Sequence, residues 1–222
     1  MSLRFAVLRP EPGNAATAAR LARHDVLRLP LFVVGPLDWT RPPLGDVDAL
    51  LVTSANAVRH GGDAMASLRH LPVIAVGAAT ARAAEAAGFA IAAVGTGDAR
   101  AALTLAAGRR LLHLTGRDHV ALPGVPALAV YAADPVEPPP AALADLAGRT
   151  ALLHSPRAAR RLAELVGDAR QAIAIAALGP AVAQAAGAGW RDVVVAAQPS
   201  DIALVTCAID RARGGGDNDR HD

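Results

Sequence analysis

Short apolar runs alternate along the chain with longer stretches in which Ala and Arg mix with isolated polar residues. The runs LRFAVL (Leu3 to Leu8), ALLVT (Ala49 to Thr53), VIAV (Val73 to Val76), AIAAV (Ala90 to Val94) and RLLHL (Arg110 to Leu114) read as strands. So do TALLH (Thr150 to His154), IAIAAL (Ile173 to Leu178) and DVVVA (Asp192 to Ala196). Between them the pattern predicts helices over Ala15 to Arg23 with Asn14 as N-cap, after Ser54, over Ala79 to Ala87 and over Asp98 to Ala107. Further helices are predicted from Arg157, from Pro180 and after Ser200, with Asp201 in the first turn of the last one. Strands that alternate with helices imply parallel sheets covered by helices on both faces.

The pattern also repeats. LLVTSANAV (Leu50 to Val58) matches ALLHSPRAA (Ala151 to Ala159), and VIAVGAATARAAEAAGF (Val73 to Phe89) matches AIAALGPAVAQAAGAGW (Ala174 to Trp190). Ser54 pairs with Ser155, Gly77 with Gly179 and Gly88 with Gly189, at an offset steady to within one residue. A period of about 100 residues is too long for a solenoid and suits a duplicated domain. The second copy lacks a matching start, while Leu3 to Arg23 lacks a sheet of its own. The N-terminal strand and helix are therefore expected to complete the C-terminal copy. The expected fold class is α/β: two similar domains, each a parallel sheet flanked by helices, joined by a two-stranded β connector. The expected boundaries are 1–31 plus 136–210 for one domain and 37–125 for the other, with connectors at 32–36 and 126–135 and a disordered tail at 211–222. A ligand cleft is expected between the domains.

Composition narrows the function classes. The 22 basic residues are all Arg, scattered along the chain, and the net charge is +2, so nucleic acid is not an expected partner. The lone Cys207 cannot form an internal disulfide and is read as a buried, inert thiol in a reducing compartment, which points to the cytoplasm. The opening residues do not read as an export signal, and no stretch is apolar and long enough to span a membrane. No self-association surface is evident, so a monomer is expected.

Four strand-to-helix turns carry the candidate chemistry: Thr53-Ser54-Ala55-Asn56, Gly77 to Thr80, Ser155-Pro156-Arg157 and Gly179-Pro180-Ala181. In parallel sheets such turns gather at the carboxyl ends of strands, where free N–H groups and helix dipoles favour anions. The plain alternative is that Ser, Gly and Pro only cap helices there. Gly95-Thr96-Gly97-Asp98-Ala99-Arg100 begins like a dinucleotide fingerprint but has Arg100 in place of the third glycine, and no phosphate loop with Gly-Lys-Ser occurs. His113 and His119 flank a strand end without Cys or paired acids nearby, so no metal site is expected. Ser54 and Ser155 lack a Gly-x-Ser-x-Gly elbow. Tyr131, the only tyrosine, lies on the second connector, where it either packs or offers a phenol to a ligand.

As a set these segments resemble the uroporphyrinogen-III synthase family. The carriers are VLRPEPG (Val7 to Gly13), LLVTSANAV, VIAVGAATARAAEAAGF, LHLTGRD (Leu112 to Asp118), VYAADPV (Val130 to Val136), LLHSPRAARRL (Leu152 to Leu162) and LGPAVAQAAGAGW (Leu178 to Trp190). The resemblance implies two α/β domains joined by a β ladder, no metal or organic cofactor, and hydroxymethylbilane as substrate. The implied reaction closes that linear tetrapyrrole with loss of water and inversion of its last ring. It further implies that Tyr131 is catalytic and that Arg9, Ser54, Ala55, Asn56, Gly77, Thr80, Ser155, Pro156, Arg157, Gly179, Pro180 and Ala181 bind the substrate. Some relatives carry Thr where Ala181 and Val182 stand here, and a basic residue near the position of His119. Two other classes fit a two-lobed α/β chain: a small-molecule-binding module without catalysis, and a nucleotide-dependent enzyme, which the missing fingerprint disfavours.

Overall fold

The computed structural model describes residues 2–95, 99–106 and 108–214. The chain forms two compact units. One takes the residues up to Val33 and from Pro135 onward; the other is Val34–Asp134.

The first unit is a five-stranded sheet of β1 (Arg4–Val7), β2 (Asp25–Arg28), β9 (Thr150–Leu153), β10 (Ala174–Ala177) and β11 (Asp192–Val195). Their order is β11-β10-β9-β1-β2, and every pairing is parallel. The N-terminal unit of β1, α1 (Gly13–Arg20) and β2 thus finishes a sheet begun by the last third of the chain. Helices α5 (Pro140–Ala144), α6 (Pro156–Val166), α7 (Pro180–Ala186) and α8 (Asp201–Gly214) complete the unit.

The second unit has six strands: β3 (Phe32–Pro36), β4 (Ala49–Val52), β5 (Val73–Ala75), β6 (Ile91–Val94), β7 (Leu111–Gly116) and β8 (Ala127–Pro135). The order is β3-β8-β7-β4-β5-β6, with β4 through β8 mutually parallel. Helices α2 (Ala55–Arg59), α3 (Ala78–Ala86) and α4 (Ala99–Leu105) follow β4, β5 and β6. Val136 N–H donates to Leu31 O at 3.0 Å and Leu37 N–H to Val130 O at 3.1 Å. Partner numbers therefore run in opposite senses, so β3 is antiparallel to β8 and the second sheet is mixed. The connecting strands are continuous with that sheet, because β8 also pairs with β7.

The central strands are apolar without alternation because they are covered on both faces. β4, β9 and β10 are buried at every position, whereas the edge strands β6 and β11 alternate between half-buried and exposed. Leu50, Leu51, Leu152 and Leu153 are fully buried, each stabilising the fold by roughly 1.5–3 kcal/mol. With few aromatics available, Ala on the facing helices lets helix and sheet approach closely.

The repeat survives in three dimensions. β4, Ser54 and α2 match β9, Ser155 and α6; β5, Gly77 and α3 match β10, Gly179 and α7. Ser54 Oγ accepts from Asn56 N–H and Ser155 Oγ from Ala158 N–H, both at 3.2 Å, while Pro156 and Pro180 fill first-turn positions that need no donor. Replacing either serine by Ala is expected to cost about 1 kcal/mol of stability, read as a shift in urea midpoint. An unchanged midpoint in both variants would show that neither cap stabilises its helix.

Several expectations are corrected. Asn14 is not an N-cap: α1 begins at Gly13, and Asn14 is fully buried inside it. Its Nδ2 donates to Val7 O (2.8 Å) and Arg9 O (2.9 Å), and its Oδ1 accepts from Arg28 Nε at 2.8 Å. The amide thus pins the turn after β1 to β2, a pairing that outcompetes local capping. Helix α5, absent from the predicted set, is started by Pro140 at a position where proline is favoured. Helix α8 continues through Gly214, with Arg211 bonded bidentately to Asp192, so residues 211–214 belong to the helix. Residues 215–222 of the expected tail, and Thr96 to Asp98 of the glycine motif, lie outside the described residues. Cys207 is only partly buried; its Sγ donates to Leu204 O at 3.2 Å, and burial pushes its pKa up.

Candidate active site

Each sheet presents a rim at the carboxyl ends of its strands, and the predicted residues fall on these two rims. They differ in chemistry. The rim of the first unit centres on a carboxylate among cations, and that of the second carries hydroxyls and imidazoles beside the Arg117–Asp134 pair.

In the first unit the turn after β1 carries Arg9, and the turn after β9 carries His154, Ser155, Pro156 and Arg157. Pro180 and Ala181 are exposed after β10, with Gly179 half-buried beneath them. Asp201, at the start of α8, is the hub. Its Oδ1 accepts from Thr17 Oγ1 at 2.7 Å and His154 Nε2 at 2.8 Å, and lies 3.5 Å from Arg9 Nη1. Its Oδ2 accepts from Arg20 Nε at 2.9 Å. Burial alone would raise the Asp201 pKa, but the hydrogen bonds from His154, Thr17 and Arg20 together hold it below the usual carboxylate range. An ionised carboxylate only accepts, so His154 carries its proton on Nε2. Burial lowers the His154 pKa and outweighs the Asp201 contact, with Arg9 adding to the depression, so the imidazole is neutral. Arg157 stacks on Phe32, its guanidinium carbon 4.4 Å from the ring centre. Both line a groove of about 250 Å³ with Pro135, Arg160, Arg161 and Glu164.

In the second unit Ser54, Ala55 and Asn56 start α2, and Gly77 precedes α3. Ser54 spends a lone pair on its cap and keeps its hydroxyl proton to donate. Asn56 N–H is engaged by Ser54, while its Oδ1 lies 3.5 Å from Arg59 Nη1, so Nδ2 is its remaining donor. Thr80 is more than nine-tenths buried beneath this edge. Inside β7, His113 Nε2 meets Thr53 Oγ1, just past the end of β4, at 2.9 Å. His113 is buried, and its ring stands edge-on to His119 with centroids 5.8 Å apart. Burial, reinforced by His119, lowers the His113 pKa to about 4. His119 Nδ1 donates to Gly116 O at 3.0 Å. Among the described residues no group of three or more His, Cys, Asp or Glu could hold a metal ion.

Tyr131 reaches this same rim. It pairs in register with Gly116, and its carbonyl accepts from Arg117 N–H at 2.9 Å. The register of β8 shifts between the partners of Thr115 and Gly116, a bulge that re-aims the residues beyond it. The Tyr131 ring then crosses the end of β7: a Cβ on residue 116 would lie 2.8 Å from Cζ and 3.1 Å from the hydroxyl oxygen. Gly116 is what admits the ring. The hydroxyl makes no hydrogen bond with the described residues.

Sequence reasoning misses the Asp201 centre. In the sequence Asp201 stands out only for its helix dipole, and His154 only as the end of a strand. Their meeting joins positions far apart in the chain, and no spacing signals it. Thr17, Arg20 and Gly13 escape notice for the same reason.

Two α/β units that share a strand-turn-helix order, one sheet parallel and the other mixed, define a two-unit α/β protein. The sequence profile described as Uroporphyrinogen-III synthase HemD matches residues 14–206, and the chain belongs to the uroporphyrinogen-III synthase family. Its fold is similar to that of uroporphyrinogen-III synthetase from Helicobacter pylori 26695, with a TM-score of 0.66 at 16% identity over 94% of this chain and 100% of that one. A mutant uroporphyrinogen III synthase from the extreme thermophile Thermus thermophilus gives 0.55 at 19% identity over 96% and 100%. No curated protein matches the chain. The protein is therefore a cyclising lyase of haem biosynthesis acting on a tetrapyrrole, and the non-catalytic binding module is not favoured. No helix among the described residues is long and apolar enough to cross a membrane.

Proposed function

We propose that the protein closes hydroxymethylbilane to uroporphyrinogen III by gripping its carboxylate arms on the rim of each unit and steering which carbon attacks. The observation that carries this reading is the family match over residues 14–206, joined to rims that offer donors at repeated positions. The helix starts after Ser54, Gly77 and Gly179 have first-turn N–H groups beyond those taken by the Ser54 hydroxyl and by the carbonyls of Ser54, Gly77 and Gly179, and a carboxylate satisfies such donors. Arg9, Asn56 and Arg157 add side-chain donors, Ser54 and Ser155 add hydroxyl protons, and charge-assisted bonds of this kind are the stronger class. Ala55, Pro156, Pro180 and Ala181 shape the turns, and Thr80 supports one from beneath.

The hydroxyl on the terminal carbon leaves as water once it receives a proton. The electron pair of the adjacent pyrrole nitrogen replaces the broken C–O bond, giving an azafulvenium cation that becomes an azafulvene as its N–H proton leaves. We assign the proton donation to Tyr131, whose unpartnered hydroxyl stands at the rim. Attack by the substituted carbon of the last ring gives a spiro intermediate. That carbon's bond to its original methylene bridge then breaks, the ring's free carbon bonds to the released methylene and loses its proton, and the ring ends inverted. Direct attack by the free carbon instead gives the symmetric isomer. Holding the substituted carbon closer is catalysis by orientation. The reading takes the protein as a cytoplasmic monomer without a nucleic-acid partner, supported by its scattered arginines and single cysteine.

Hydroxymethylbilane supplied to the purified protein should yield isomer III in excess over a protein-free blank, resolved chromatographically after oxidation. Isomer I alone, as in the blank, would sink the proposal.

A further inference from the structure

Arg9 is a partly buried cation of the first rim. Its Nη1 lies 3.5 Å from both Thr17 Oγ1 and Asp201 Oδ1. Its Nε and Nη2 make no hydrogen bond with the described residues, and a third of the side chain is open to solvent. The guanidinium also fills the space that a side chain at residue 13 would need: a Cβ there would sit 2.3 Å from Nε, 2.5 Å from Cζ and 2.7 Å from Nη2. Gly13 starts α1 and is not among the glycines with positive φ, so its backbone would accept any residue. A glycine in that place gives up helix propensity, and what it gains is room for Arg9.

The charges around Arg9 do not cancel. Asp201 supplies one negative charge, Arg9 and Arg20 supply two positive ones, and His154 is neutral. Glu11, on the same turn, is committed to Arg28. One positive charge is left over beside a guanidinium with two free donors. Burial lowers the Arg9 pKa against the pull of Asp201, as expected of a cation with too little water and too little counter-charge.

We infer that Arg9 is a preset fork for a carboxylate of the substrate, and that Asp201 and Gly13 are the positioning residues that set it. Asp201 and Thr17 fix one nitrogen from behind, and the bare face of Gly13 lets the fork lie down, so little rotamer freedom is lost when an acid arm arrives. This rests on the reading of the substrate as a polycarboxylate tetrapyrrole and extends it from naming Arg9 to explaining how Arg9 is held.

The test is a pair of double-mutant cycles in the steady-state assay, with wild-type protein on hydroxymethylbilane as reference. Gly13→Ala should raise KM about tenfold, the loss of a charge-assisted contact, with kcat little changed. Its melting midpoint should stay level or rise, since only the tip of a flexible side chain is displaced and alanine favours the helix. In an Arg9→Ala background the same substitution should change KM by less than about twofold. Asp201→Asn should likewise raise KM only when Arg9 is present, which separates its positioning role from any loss of stability. The inference is overturned if Gly13→Ala leaves KM unchanged, or if either substitution raises KM equally in both backgrounds, while the wild type still makes isomer III. A wild type that makes only isomer I removes the substrate reading itself, and the inference goes with it.

Discussion

Tyr131→Phe is expected to lower kcat about a hundredfold while leaving KM within about twofold. General acid catalysis contributes upward of that factor, and the lower end applies because an electron-rich pyrrole already helps to expel the hydroxyl. The substitution is clean. Phe keeps the ring that lies across Gly116 and packs against the core of the second unit. The deleted oxygen makes no hydrogen bond with the described residues, so no buried partner is orphaned and the melting midpoint should not move. Isomer III should remain the product, because orientation comes from the grip on the acid arms. Steady-state rates and isomer analysis on the same preparation decide it: full turnover by the Phe variant returns Tyr131 to a packing role.

Acidification from pH 7 to pH 4 is expected to cost on the order of 3 kcal/mol of stability through His113 alone. His113 is buried and neutral, with its pKa lowered from 6.5 to about 4. Between those two values the unfolded chain takes up a proton that the folded chain refuses. Stability from this group is therefore complete above pH 6.5 and drains away as pH falls toward 4. His154 and Asp201, whose pKa values are also lowered, act in the same direction. The contribution of His113 is isolated by comparing wild type with His113→Gln in urea unfolding at pH 7 and pH 4.5. The variant should show a visibly flatter dependence, and equal slopes would exclude His113 as the source.

What the sequence made legible were features carried by neighbours in the chain. Leu50 to Val52 and Leu152 to Leu153 are apolar because both faces of their strands are covered, and Ser54 and Ser155 follow because a helix start needs an acceptor. The duplication showed because each copy repeats those local solutions in order. Contacts that close over long separations were not legible. Asn14 looks like a cap until Arg28 is seen beside it. Asp201 looks like a dipole partner until Thr17, Arg20 and His154 converge on it. Tyr131 could be placed on a connector, but the bulge that turns it toward Gly116 has no residue signature. Helix α5 opens on Pro140, the last of three consecutive prolines, and is only five residues long, too short to show a helical period.

The threading of the first sheet sets a timetable for the newborn chain. β1 emerges from the ribosome long before its neighbour β9, which starts only at Thr150, so Ala6 must wait for Ala151. Meanwhile residues 32–135 contain every strand of the second sheet. The middle of the protein can thus mature before its beginning, and the apolar segment Phe5 to Leu8 travels unsheltered until the C-terminal third arrives. A chain in which residues 2–31 followed α8 would carry all five strands of the first sheet in one continuous stretch.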